Sequence, residues 1–266
     1  MTSHYKEYEH VKLHVDDDVL RITLSWIEHH NALSMQMRAE LLESVLAAEA
    51  DPRVRALVIT GEGAKSFSAG TNIPELSERT LYSELGRASE LRKILPTTIE
   101  RLAKPTVAAI NGYCFGGGLE LILGCTVRIA SSNARLALPE IKLGQIPGSG
   151  GTQRLYRLVG LGWAMQMVLT GEPVSAQQAE RIGLVTEVLP QDGLMPRAQE
   201  IARLLGSRSP VAFAAGRDAV LKSTESDLLS GIDYEKKLYA ICMATQDSRI
   251  GLQAYADKTT PAYTGK

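Results

Sequence analysis

The chain has 266 residues, 44% of them hydrophobic and 22% charged, with a formal net charge of −1. That composition suits one globular core with a smaller appendage, and the near-zero charge supplies no overall field for a polyanion, which sets nucleic acid aside as a partner. Cys114, Cys125 and Cys242 are odd in number and show no CxxC spacing, which argues against a disulfide framework and against a zinc site; they read as reduced, buried thiols.

The stretch from Met1 to His14 is polar, and no later run approaches the ~20 apolar residues that span a bilayer, so a cytoplasmic protein without membrane contact is expected. His4, His10, His14, His29 and His30 all fall in the first 30 residues, so a catalytic or metal-binding histidine would have to come from there. Val11 to Val15 and Val19 to Ser25 flank Asp16-Asp17-Asp18 and predict an antiparallel hairpin with a solvated acidic turn. Ser34 opens a helical run to Ala50, with Leu41, Leu42, Val45 and Leu46 as its apolar stripe and Asp51-Pro52 as its stop. Val54 to Thr60 reads as a buried strand.

Residues 77–103 have helical character interrupted near Pro96, and Thr106 to Ile110 form the next strand. A glycine run leads into a short apolar helix from Leu119 to Leu123. Val127 to Ala130 and Leu136 to Ala137 look like short strands, and Leu155 to Thr170 like two packed helices. The alternation indicates a layered α/β fold. Beyond residue 195 the pattern is helical, over 196–206, 210–222 and 225–256, so a β/α core over 1–195 and a helical module over 196–266 are expected.

Three segments couple glycines to an acidic residue or a strand end. In Ser66 to Glu75, Asn72 can cap a helix that has Pro74 in its first turn and Glu75 three residues on. In Asn111 to Glu120, a strand end meets Gly116-Gly117-Gly118 and a helix, a turn that allows close approach of a ligand to free N–H groups. Two such donors converging on one oxygen would form an oxyanion hole, each worth about 3 to 4 kcal/mol of barrier. In Leu138 to Gly151, apolar flanks would raise the pKa of Glu140 and make it a usable acid near neutral pH. Each segment also has a plainer reading. The glycines suit an ordinary tight turn, Glu120 a surface position despite its apolar neighbours, and Glu140 the start of a helix. Gly61 to Ser66 completes neither a GxGxxG nor a P-loop, and no GxSxG is complete around Ser68 or Ser149.

Taken together, the three segments resemble the crotonase superfamily, and within it the enoyl-CoA hydratases. The resemblance runs from about residue 11 to the C-terminus and is most specific over Phe67 to Asn72, Asn111 to Glu120 and Pro139 to Leu155. It implies a spiral of ββα units followed by a helical module that trimerises, with a trimer or hexamer as the assembly. It implies an oxyanion hole from the backbone N–H groups of Thr71 and Gly117, a catalytic pair in Glu120 and Glu140, and a water oriented by the Gly148 N–H. CoA contacts would come from Ala32, Ser68, Ala69 and Gly70. Tyr255 and Lys258 resemble the segment that reaches a neighbouring subunit's CoA, although an ordinary helix face explains them equally well.

Addition of water to a conjugated thioester needs no metal or redox cofactor, and coenzyme A enters as the substrate's carrier. Ser25-Trp26-Ile27 replaces the family's usual Asn-Arg-Pro, which leaves the adenine end of the site unspecified. Thr71 stands where a smaller residue is common and is expected to narrow the acyl pocket, whose lining falls in residues 76–95. An enoyl-CoA isomerase, another lyase, dehydratase or thioester hydrolase on the same fold, and a non-catalytic acyl-CoA-binding or scaffolding protein are the alternatives.

Overall fold

The computed structural model describes residues 5–86 and 89–266, so His4 and two residues of the 76–95 segment lie outside the described residues. Strands β1 (Val11–Asp16) and β2 (Val19–Leu24) pair antiparallel, with Val11 opposite Leu24 and Asp16 opposite Val19. Asp17 closes this two-residue hairpin at φ 56°, a left-handed position that Asp tolerates.

Helix α1 (Met35–Ala50) starts where the Ser34 hydroxyl accepts from Met37 N–H at 3.0 Å. Its buried face is Met37, Arg38, Leu41, Ser44, Val45 and Ala48. The stripe is thus rotated from the one read in sequence: Leu41 and Val45 lie inside, Leu42 is half-buried and Leu46 is exposed.

Next come β3 (Ala56–Gly61), β4 (Ser66–Ser68), α2 (Ile73–Ser77), α3 (Leu81–Leu85) and α4 (Glu90–Arg101). Helix α4 continues through Pro96, contrary to the expected interruption, because Leu95 and Ile99 are anchored in the core on either side of it. Strand β5 (Thr106–Ile110) and β6 (Tyr113–Phe115) lead into α5 (Gly117–Ile122), which begins two residues earlier than expected. A first helical turn needs no intrahelical N–H partner and so accepts glycine readily.

The chain continues through β7 (Val127–Ser131), β8 (Arg135–Ala137), a 3-10 turn over Pro139–Leu143 and α6 (Gly151–Thr170). Helix α6 is broken at Gly160, φ 75°, which accounts for the two helices expected there. After β9 (Val174–Ser175), α7 (Ala176–Arg181) and β10 (Glu187–Leu189), helices α8 (Gln191–Gly206), α9 (Pro210–Lys222), α10 (Leu228–Met243) and α11 (Gln246–Asp257) end the chain. The run expected as one helix over 225–256 is two, because the Thr245 hydroxyl accepts from Ser248 N–H and starts α11 anew.

The main sheet runs β1-β2-β3-β5-β7-β10, parallel from β2 onward, and a smaller sheet runs β4-β6-β8-β9. Because side chains alternate along a strand, the main sheet feeds two cores. Leu57, Ile59, Ala108 and Ile110 face α1, α4 and the smaller sheet, whereas Ala56, Val58, Val107 and Ala109 face Leu194, Ala198 and Ala202 of α8. The result is a mixed α/β fold with a parallel sheet and C-terminal helices. Cys114 and Cys125 are buried thiols, but Cys242 on α10 is only half-buried. Among the described residues, no helix is long and apolar enough to cross a membrane.

Candidate active site

The carboxyl ends of β4 and β6 lie side by side, and the chain leaves each of them through glycines. Gly70, at φ 97°, lets the backbone pass Phe115 so closely that a methyl group there would meet the Phe115 carbonyl at 2.8 Å. Leu33 donates from N–H to the Gly70 carbonyl (2.7 Å), and Asn72 donates to the Leu33 carbonyl (3.3 Å). This parallel bridge is made by the neighbours of Thr71, so the Thr71 N–H faces away from Leu33. Asn72 caps α2 as expected, accepting from Glu75 N–H at 3.2 Å. The Glu75 carboxylate does not close a capping box; both its oxygens accept from the Met35 N–H that opens α1.

Asn111 ties this corner together from inside the protein. Its amide donates to the carbonyls of Gly61 (2.9 Å), Gly63 (2.6 Å) and Ser66 (3.2 Å), while its oxygen accepts from Gly61 N–H (3.1 Å). The end of β3, the start of β4 and the end of β5 are thereby held together, just before the glycine run.

Glu120 lies within α5 and is buried, at 3% exposure. Its Oε1 accepts from Ser149 N–H (2.6 Å) and Gly151 N–H (2.9 Å), so the loop before α6 is wrapped around the carboxylate. Glu140 projects from the 3-10 turn, with Oε2 buried and free of any hydrogen-bond partner among the described residues. Burial pushes its carboxyl up to about 7, and the nearby Glu120 charge acts in the same direction. Gly116 makes room for it, since a methyl group there would sit 3.0 Å from Glu140 Oε1.

Thr71, Gly117, Glu120, Glu140, Gly148, Ala69 and Gly70 all line one cleft of about 460 Å³. The structure therefore gathers most of the residues singled out in sequence. Ser68 lies behind the wall, fully buried, with its hydroxyl accepting from Gly70 N–H at 3.2 Å. Ala32 is buried beside the loop and is not among the lining residues. Tyr255 on α11 and Lys258 just after it are exposed and also stand outside the lining.

The sequence reading passed over three arginines. Arg38 is 1% exposed inside α1 and donates from Nη2 to the Thr71 hydroxyl at 3.1 Å. Burial lowers its basicity to about 10, offset in part by Glu120. Its position in register with Met37 and Leu41 was the only available signal. Arg79 and Arg92 line the cleft beyond Ile73 and Leu76.

A family model described as enoyl-CoA hydratase/isomerase matches residues 14–266. The chain belongs to the enoyl-CoA hydratase/isomerase family. It is 40% identical over 248 residues to a 2,3-dehydroadipyl-CoA hydratase of Escherichia coli, covering 93% of this chain and 96% of that one. It is 37% identical over 252 residues to a short-chain-enoyl-CoA hydratase of Clostridium acetobutylicum, covering 95% and 96%. The crystal structure of an enoyl-CoA hydratase from Bacillus anthracis superposes with a TM-score of 0.91 at 36% identity, covering 97% of this chain and all of that one. Family membership and the crotonase fold are thus established, with acyl-CoA as the class of substrate.

Proposed function

We propose that this family member is an enoyl-CoA hydratase that adds water across the 2,3 double bond. The observation that carries this reading is the pair of glutamates on one cleft, held in different environments. Glu120 is fixed by two backbone N–H groups, and Glu140 is desolvated with a carboxyl near 7. Two positioned carboxyls in such different surroundings suit a reaction that removes one proton and delivers another.

In the proposed mechanism the thioester oxygen accepts from the N–H groups of Thr71 and Gly117, which stabilise the enolate as it forms. Glu120 takes a proton from the water that attacks the β-carbon, and Glu140 gives its proton to the α-carbon. Gly148, on the exposed rim of the same cleft, offers its N–H to the attacking water. The proton gained by Glu120 returns to Glu140, so the enzyme is unchanged at the end of each turnover. No metal or redox cofactor takes part in these steps; CoA is the carrier of the acyl group.

The names of the relatives refer to different acyl groups, so they support the reaction and leave the acyl group open. We also propose that residues 1–195 form the catalytic core and 196–266 an oligomerising module, in a trimer or hexamer. Leu228, Leu229, Ile232 and Tyr239 on α10 expose large apolar side chains, as a helix does when it is covered in an assembly. Tyr255 and Lys258 would then meet a neighbouring subunit's CoA.

The test is to incubate the protein with crotonyl-CoA and a panel of longer, branched and cyclic enoyl-CoAs, following the enoyl absorbance and product mass. A gain of one water is the expected result. An unchanged mass with a moved double bond would make it an isomerase, and free CoA a hydrolase.

A further inference from the structure

The cleft that holds Glu120 and Glu140 has a second charged wall. Arg79, in the turn after α2, and Arg92, on α4, both line it, with Glu84 of α3 between them. Arg92 is committed: its Nη2 donates to Glu84 Oε2 at 2.5 Å, and its side chain is 9% exposed. Arg79 is held more loosely. Its Nε makes a long ion pair of 3.8 Å with Glu84 Oε1, and its Nη2 is shut off from solvent without a hydrogen-bond acceptor among the described residues. Glu84 Oε1 is also buried, with that ion pair but no hydrogen bond among the described residues.

Arg79 lies in the fields of Arg92, Glu84 and Glu75, and both cleft arginines reach the buried Arg38. With Arg38 facing Glu120, Arg79 and Arg92 stand against Glu84 and Glu75 among the described residues. Glu75 is already engaged by the Met35 N–H. A guanidinium nitrogen buried without an acceptor is unfavourable, and its planar fork fits a carboxylate in two-point contact.

We propose that Arg79 receives a carboxylate carried on the acyl group, so that the preferred substrates are enoyl-CoA thioesters of dicarboxylic acids. This rests on the hydratase reading and names the substrate class of the same cleft. Leu76 and Ile73, on the same wall, pack against the methylene chain that separates the double bond from the far carboxylate. Glu84 serves as the resting partner of Arg92, and the incoming carboxylate supplies the acceptor that Arg79 Nη2 lacks among the described residues.

The experiment compares kcat/KM for hydration of 2,3-dehydroadipyl-CoA and of hex-2-enoyl-CoA, two six-carbon acyl groups that differ in a terminal carboxylate against a methyl. The carboxylated thioester is expected to be preferred by about 10- to 100-fold, the range for one charge-assisted contact. Arg79→Gln is expected to remove most of that preference, and Arg79→Lys to keep part of it. Equal handling of the two thioesters by the parent protein overturns the proposal, whatever the fate of the variants. A preference that survives Arg79→Gln overturns the assignment to Arg79. An equal loss on both thioesters in Arg79→Gln would place a CoA phosphate there and overturns it too.

Binding of the saturated adipyl-CoA and hexanoyl-CoA is measured in parallel by calorimetry, independently of turnover. If neither enoyl thioester gains water yet adipyl-CoA binds at least about 10-fold more tightly through Arg79, the hydratase reading fails and the carboxylate site stands. If the two saturated thioesters bind alike, the carboxylate site fails even where hydration is observed.

Discussion

Arg38 donates from Nη2 to the hydroxyl of Thr71 at 3.1 Å, linking a charge buried in α1 to a residue that lines the cleft. The same nitrogen lies 2.8 Å from where a methyl group on Gly117 would be, and the Thr71 hydroxyl 3.3 Å from it. Both proposed oxyanion donors therefore rest on one guanidinium. The hydroxyl of Thr71, expected to narrow the acyl pocket, is tethered by Arg38.

Thr71→Val keeps the backbone donor and the shape of the side chain but removes the acceptor for Arg38 Nη2. Arg38 Nε already lacks a partner among the described residues, so the variant leaves a second buried nitrogen unmatched. A loss of about 1–3 kcal/mol in stability is expected, read from the denaturant midpoint, with Thr71→Ser close to the parent. The double variant with Arg38→Met should recover much of the loss. If Thr71→Val melts like the parent, the contact contributes nothing.

Glu120→Gln retains an oxygen that can accept from Ser149 and Gly151 N–H, so the loop before α6 should stay seated. The proton-accepting role is lost, and turnover is expected to fall about 100- to 10,000-fold with little change in melting temperature. Glu140→Gln should fall by a similar factor. Near-parent turnover in either variant would remove that residue from the mechanism.

The pH dependence follows from the Glu140 carboxyl, which burial raises to about 7 from its ordinary 4.5. Glu140 must carry its proton to act as the acid in hydration, so kcat/KM for hydration should fall as pH rises past about 7. Water addition releases no net proton, so kcat/KM for the reverse dehydration must follow the same limb. Stability has the same sign. A folded pKa above the unfolded one contributes stability that is complete below 4.5 and lost as pH rises through about 7. Glu140→Gln should abolish this limb in the melting profile. A parent limb that persists in the variant would assign it to another group.

What the sequence made legible was local. The Asn72 cap, the strand ends before glycines and the two glutamates all follow from neighbours a few residues away, and the structure places those glycines and both glutamates on one cleft. What stayed hidden depends on distant partners. Pro96 reads as a helix breaker until Leu95 and Ile99 are seen packed in the core, and Asn111 reads as a strand end until its amide meets three carbonyls some 45 to 50 residues away. Arg92 and Glu84 stand eight residues apart on two separate helices, beyond the i,i+4 spacing that pattern reading uses.

Gly116 offers a way to separate backbone strain from chemistry. It sits at φ 48°, ψ −122°, a conformation that glycine alone adopts readily, and a methyl group there would stand 3.0 Å from Glu140 Oε1. Gly144, at φ 70°, is also left-handed, but a methyl group there meets nothing within 4 Å. Each alanine variant should lose about 1–3 kcal/mol of stability from strain. Only Gly116→Ala presses on the carboxyl, so it should also lose turnover and shift the limb near pH 7. Measured at a temperature where both variants are folded, turnover in Gly144→Ala should remain well above that in Gly116→Ala. Equal losses would mean that strain in the loop governs the rate, because the two sites share their backbone hand and differ in contact with Glu140.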